Sequence, residues 1–134
     1  MNTRLVKILR GSLAGALLAG LATVGLADDA WTAAETTPAE LKAQAAADPA
    51  ALVILDVRTP EEFAAGHIPG AINIPVGEIG ARLAEREASR DKTIVAYCRS
   101  GRRAGVALKA LHEAGFTKLS HLAGDMPGWE ESAK

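Results

Sequence analysis

Apolar and polar positions alternate along the chain with two different periods. Leu52-Val53-Ile54-Leu55 is a continuous apolar run of strand length, closed by Asp56. Such a run suits a strand covered on both faces. Thr93-Ile94-Val95-Ala96-Tyr97 is the clearest strand. Ala71-Ile72-Asn73-Ile74, stopped by Pro75, and Lys118 to Leu122 are shorter ones. Between them lie helical patterns. Thr37-Pro38-Ala39-Glu40 opens a helix with a capping residue, a first-turn proline and a capping-box glutamate, and that helix fades at Asp48-Pro49. Thr59-Pro60-Glu61-Glu62 opens a second, short one before Gly66. Val76 to Ala88 reads as a third, with Ile79 and Leu83 four apart. Arg103 to Ala114 reads as a fourth, with Val106, Leu108 and Leu111 apolar and Gly115 as its stop. Gly124-Asp125 reads as a closing turn. Strands alternating with helices predict an α/β fold with a mostly parallel sheet of four or five strands and helices on both faces. Trp129, Leu111 and Phe116 are read as core.

Composition adds a boundary at the N-terminus. Met1 to Arg10 carries Arg4, Lys7 and Arg10 and no acid, and Gly11 to Ala27 then runs without a charge, ending in small residues before Asp28-Asp29. A basic start, an apolar middle and a small-residue end predict a signal peptide over 1–27, cleaved after Ala27, and a periplasmic destination. The apolar run falls short of the roughly 20 residues of a spanning helix, so no stable membrane insertion is expected after cleavage. Residues 28–37 read as a short lead-in and 38–134 as one domain. The formal net charge of −1 excludes the basic surplus of a nucleic-acid binder. A monomer is expected.

Cys98 is the single cysteine, so no internal disulfide is possible. It sits in Tyr97-Cys98-Arg99-Ser100-Gly101-Arg102-Arg103-Ala104, between the clearest strand and the following helix. Ligands of open α/β sheets bind at the carboxyl ends of strands, so Cys98 stands where a nucleophile belongs. Gly101 permits a turn whose N–H groups point inward. The helix start adds partial positive charge, and Arg99, Arg102 and Arg103 add full charges. All favour thiolate over thiol. The loop Arg99, Ser100, Gly101, Arg102 and Arg103 is therefore the candidate binding surface for an anion.

In this order the motifs resemble a single-domain rhodanese. They are Asp56-Val57-Arg58, Glu61-Glu62-Phe63, Gly66-His67-Ile68-Pro69-Gly70-Ala71-Ile72-Asn73-Ile74-Pro75, the Cys98 loop, and Leu122-Ala123-Gly124-Asp125-Met126-Pro127-Gly128-Trp129. The small exported members of the phage-shock protein E type are similar in size and leader. The resemblance implies a five-stranded parallel sheet and two-step sulfur transfer through a Cys98 persulfide. The donor would be thiosulfate or a related small molecule, the acceptor cyanide or a thiol, with neither metal nor organic cofactor. Two positions depart from the family pattern. Ser100 stands where strongly thiosulfate-preferring members often carry Lys. Asp125 stands where the closing motif has a second Gly, and is expected to alter a turn without loss of chemistry.

The remaining candidates have quieter readings. Arg58 either contacts the anionic donor or forms a structural ion pair with a nearby acid such as Glu62, and the ion pair is preferred because such networks commonly mimic sites. Asp56 and His67 are read as structural support, the histidine tying backbone together between two turns. Asn73 is read as a backbone bridge. His112 and His121 lack metal-ligand spacing with Cys98 and are read as incidental. A cysteine phosphatase would need Arg six positions after the nucleophile, where this chain has Ala104. The other alternative is a sulfur-carrying, partner-binding or redox-sensing module with little turnover, which exploits an accessible reactive thiol.

Overall fold

Five short strands and four helices follow one another in the computed structural model, which describes residues 31–134. The strands are β1 (Ala34–Thr36), β2 (Leu52–Asp56), β3 (Ile72–Asn73), β4 (Thr93–Tyr97) and β5 (Leu119–Leu122). The helices are α1 (Pro38–Ala47), α2 (Pro60–Ala65), α3 (Arg102–Glu113) and α4 (Asp125–Ser132). All pairings are parallel, in the order β1-β5-β4-β2-β3.

The capping signals act as read. Thr37 and Thr59 each accept from the N–H three residues on, and Glu40 and Glu62 each reach back to the cap N–H. Both boxes satisfy helix-end donors that would otherwise lack partners. β2 and β4 are buried along nearly their whole length, as continuous apolar runs require. One face of the sheet builds a core from Ile54, Val95, Tyr97 and Leu122 with Leu41 of α1, Ile68 and Met126 of α4. Trp129 is partly buried against it. Leu111 and Phe116 are buried as expected, whereas Val106 is 59% exposed on the outer face of α3.

Three expectations are corrected. The lead-in over 28–37 contains β1, which joins the sheet edge beside β5. Its signal is polar: Thr36 and Ser120 hydroxyls bond at 2.6 Å, and Ser120 Oγ also donates to the Ala34 carbonyl. Val76 to Ala88 is not an α-helix. It forms two 3-10 segments, Val76–Glu78 and Leu83–Ser89, in a stretch interrupted by Gly77 and Gly80. The closing turn at Gly124-Asp125 is followed by helix α4, whose Pro127 and Gly128 mask it in sequence. Pro127 falls in the first turn, where its missing N–H costs nothing. The signal peptide expected over 1–27 lies outside the described residues. No helix among the described residues is long and apolar enough to cross a membrane.

Candidate active site at the sheet switch point

From β2 the chain passes to the edge strand β3, and from β4 it passes the opposite way to β5. The carboxyl ends of β2 and β4 therefore flank a switch point, the place where open parallel sheets leave a crevice. Asp56 ends β2 and Arg58 lies just beyond it there, and Cys98 follows β4.

The Cys98 loop wraps its own sulfur. Gly101 caps α3 with φ +91°, and its N–H lies 3.0 Å from Cys98 Sγ. The Ala104 N–H, a first-turn donor without a helical acceptor, lies 3.4 Å from the same sulfur. Two backbone donors at a helix start thus converge on one atom, an arrangement that stabilises negative charge there. α4 clamps the cysteine backbone: the Cys98 N–H donates to Asp125 Oδ1 at 3.0 Å, and the Cys98 carbonyl accepts from the Met126 N–H at 3.0 Å.

Among the loop residues, Arg99, Ser100 and Arg102 are exposed at the rim. Arg103 is turned to a different partner. Its guanidinium grips Glu62 of α2 at 2.6 and 3.1 Å, and these bonds, with help from Thr59, hold the Glu62 carboxyl down at about 2. Cys98 is fully buried. That corrects the accessible thiol expected from the sequence, and it holds for a sulfur donor as much as for an oxidant.

The supporting residues form a second cluster. Arg58 pairs with Asp56 rather than Glu62: Nη2 donates to Oδ2 at 2.7 Å and Nε to Oδ1 at 3.0 Å. The same Nη2 reaches the Gly66 carbonyl at 2.7 Å. Arg58 also lines a small cavity of about 140 Å³ with Arg99, Met126, Pro127 and Glu130. Tyr97, the register partner of Asp56, donates its hydroxyl to Asp56 Oδ2 at 2.7 Å and accepts from the Ile68 N–H at 3.1 Å. Burial first, and then the Asp56 bond, push the Tyr97 phenol upward. Asn73 Nδ2 donates to the carbonyls of Asp56 and Arg58, the bridge read from sequence. His67 donates from Nδ1 to the Phe63 carbonyl and stacks on the Phe63 ring, centroids 3.7 Å apart. It supports the turn.

Two site residues escaped the sequence reading. His121 Nε2 lies 2.9 Å from Asp125 Oδ1, and that same oxygen lies 3.7 Å from Cys98 Sγ. The signal was there: a histidine and an aspartate four apart, spanning the end of the last strand, at the position where the closing motif departs from Gly-Gly.

Several of the proteins to which this chain is similar are named as sulfurtransferases. The model of the rhodanese-like domain matches residues 37–132. Thiosulfate sulfurtransferase PspE of Escherichia coli (strain K12) is 39% identical over 70 residues, covering 52% of this chain and 67% of that protein. The HTH-type transcriptional regulator Rv0324 of Mycobacterium tuberculosis is 46% identical over 87 residues. That match covers 65% of this chain but only 34% of the regulator. The solved human single-domain sulfurtransferase TSTD1 superposes with a TM-score of 0.63 at 30% identity, covering 75% of this chain and 97% of that one. The chain belongs to the rhodanese-like family.

Proposed function

We propose that this protein is a sulfurtransferase that carries sulfane sulfur on Cys98. The observation that carries the reading is the pair of N–H groups from Gly101 and Ala104 on Cys98 Sγ at the start of α3. Sequence relatives named as sulfurtransferases agree with it. In the first step the Cys98 thiolate attacks the outer sulfur of thiosulfate. A new S–S bond forms, the S–S bond of the donor breaks, and sulfite leaves with the bonding pair. In the second step cyanide, or a thiolate, attacks the outer sulfur of the persulfide, and Cys98 leaves as thiolate. Electrons and charge balance in both steps, so no external oxidant is needed. The backbone donors that hold the thiolate also hold the persulfide.

The buried sulfur shapes the substrate. A donor must pass the loop to reach it, and the exposed Arg99 and Ser100 form the rim it meets. Arg99, Arg102 and the cavity face of Arg58 supply the positive charge an oxyanion donor needs. Nucleic acid is no partner in this reading, and the protein acts as a monomer. Export through a cleaved leader over 1–27 would place it in the periplasm, with thiols delivered there as acceptors.

Intact-mass spectrometry tests the reading. Incubation with thiosulfate should add one sulfur, about 32 Da, to the protein and nothing to Cys98→Ala, and cyanide should remove it. No gain with thiosulfate, persulfides or mercaptopyruvate would overturn it.

A further inference from the structure

Asp125 is an unusual residue to find at its position. Its backbone has φ +53°, the left-handed region that favours glycine, and its side chain is buried against the catalytic loop. Strain of this kind persists where the surroundings impose it, and it collects at functional sites. One carboxylate oxygen, Oδ1, holds the Cys98 N–H at 3.0 Å, faces Cys98 Sγ at 3.7 Å and meets His121 Nε2 at 2.9 Å. The other ring nitrogen of His121, Nδ1, faces Glu35 Oε1 of β1 at 3.5 Å. Ionised carboxylates only accept, so a doubly protonated ring satisfies both sides. Gly101, which has no side chain, stands against this pair. A Cβ there would stand 3.2 Å from Asp125 Oδ2 and 3.5 Å from the His121 ring.

We infer that Asp125 and His121 are positioning residues whose joint charge sets how readily Cys98 becomes a thiolate. With the ring protonated, the imidazolium cancels the Asp125 charge, and the sulfur ionises against the Gly101 and Ala104 donors. With the ring neutral, a bare carboxylate faces the sulfur, and the thiol keeps its proton by donating it to Asp125. Like charges in contact disfavour ionisation. The other groups set against this cluster are Glu35 from β1, which supports the ring's charge, and Arg103 from α3, which lies within electrostatic range of Cys98 and favours its thiolate. The inference takes Cys98 as the reactive group from the proposed function, and its test reads the thiol rather than sulfur transfer.

The experiment uses the full chain, Asp125→Asn, His121→Gln and the double variant, with Cys98→Ala as blank. Asparagine keeps the acceptor for the Cys98 N–H and tolerates a left-handed backbone, so it isolates charge from geometry. Two readouts are taken near neutral pH: the rate of alkylation by iodoacetamide, and the ultraviolet absorbance of the thiolate, which needs no access to the buried sulfur. His121→Gln should lower both, the rate about tenfold, because it leaves the Asp125 carboxylate uncancelled beside the sulfur. Adding Asp125→Asn to His121→Gln should raise both again by a similar factor, and His121→Gln should change neither in the Asp125→Asn background. Equal effects of His121→Gln in both backgrounds, or a double variant as unreactive as His121→Gln alone, would overturn the inference. If the charge effects hold but thiosulfate adds no mass, the pair stands and the sulfurtransferase reading falls.

Discussion

Asp56 has no exposed surface, yet it is charged and accepts from three side-chain and backbone sources: the Arg58 guanidinium, the Arg58 N–H and the Tyr97 hydroxyl. A buried ion pair adds little to stability over a well-packed apolar substitute, but removing one partner strands the other. The two kinds of damage should separate by size. Tyr97→Phe deletes one hydroxyl and leaves Asp56 Oδ2 with Arg58, while the Ile68 N–H loses its acceptor. Its cost should be about 1–3 kcal/mol in urea unfolding. Asp56→Ala leaves a buried guanidinium without its carboxylate and should cost about 3–5 kcal/mol. Asp56 is legible in sequence as structural support and Arg58 as one half of an ion pair, although the acid expected opposite Arg58 is Glu62 and the structure supplies Asp56. Tyr97 was not legible as their third member. Its role depends on parallel register, Asp56 opposite Tyr97, which no local pattern encodes. The same limit hid His121 and Asp125. Their meaning lies in what the ends of β4 and β5 bring together.

At the scale of elements, what was legible follows from local chemistry. The two capping boxes, the two buried strands and the strand–loop–helix around Cys98 each carry their cause within a few residues. β1, the 76–88 segment and α4 do not. β1 is a polar three-residue edge whose pairing comes from β5, and α4 contains a proline and a glycine and is held by distant partners, α1, the sheet core and the Cys98 backbone. The Cys98 loop is where local and distant causes meet, and Gly101 is its hinge. An alanine there would take a left-handed backbone, costing about 1–2 kcal/mol, and would press its methyl on Asp125 and His121. Gly101→Ala should therefore swing the Gly101 N–H away from Cys98 Sγ and lower iodoacetamide reactivity more than it lowers the unfolding midpoint. A midpoint loss with unchanged reactivity would mean that the loop absorbs the methyl elsewhere.

For the whole molecule, the site depends on holding helices from the two connections together over the switch point. Glu62 of α2 and Arg103 of α3 do this from opposite sides of the crevice, and their contact fixes the first turn of the helix whose N–H groups point at Cys98. The tie is acid-sensitive. The Glu62 carboxyl lies at about 2 in the folded protein against 4.5 as an isolated group, chiefly through the Arg103 bonds. A carboxyl held down by folding stabilises the fold above its unfolded value, and that contribution fades as pH falls from about 4.5 toward about 2. Both side chains are about one-third exposed, so water screens the pair, and its worth at neutral pH is about 1 kcal/mol. Glu62→Gln is the informative variant, because glutamine preserves the capping box at the start of α2 while removing the charge. It should be less stable than the native chain by that amount near pH 6, and the difference should vanish as the solution is acidified toward pH 2 (about the folded value). A difference independent of pH would assign the loss to the cap. A parallel decline in Cys98 reactivity at neutral pH would show that α2 helps aim α3 at the sulfur.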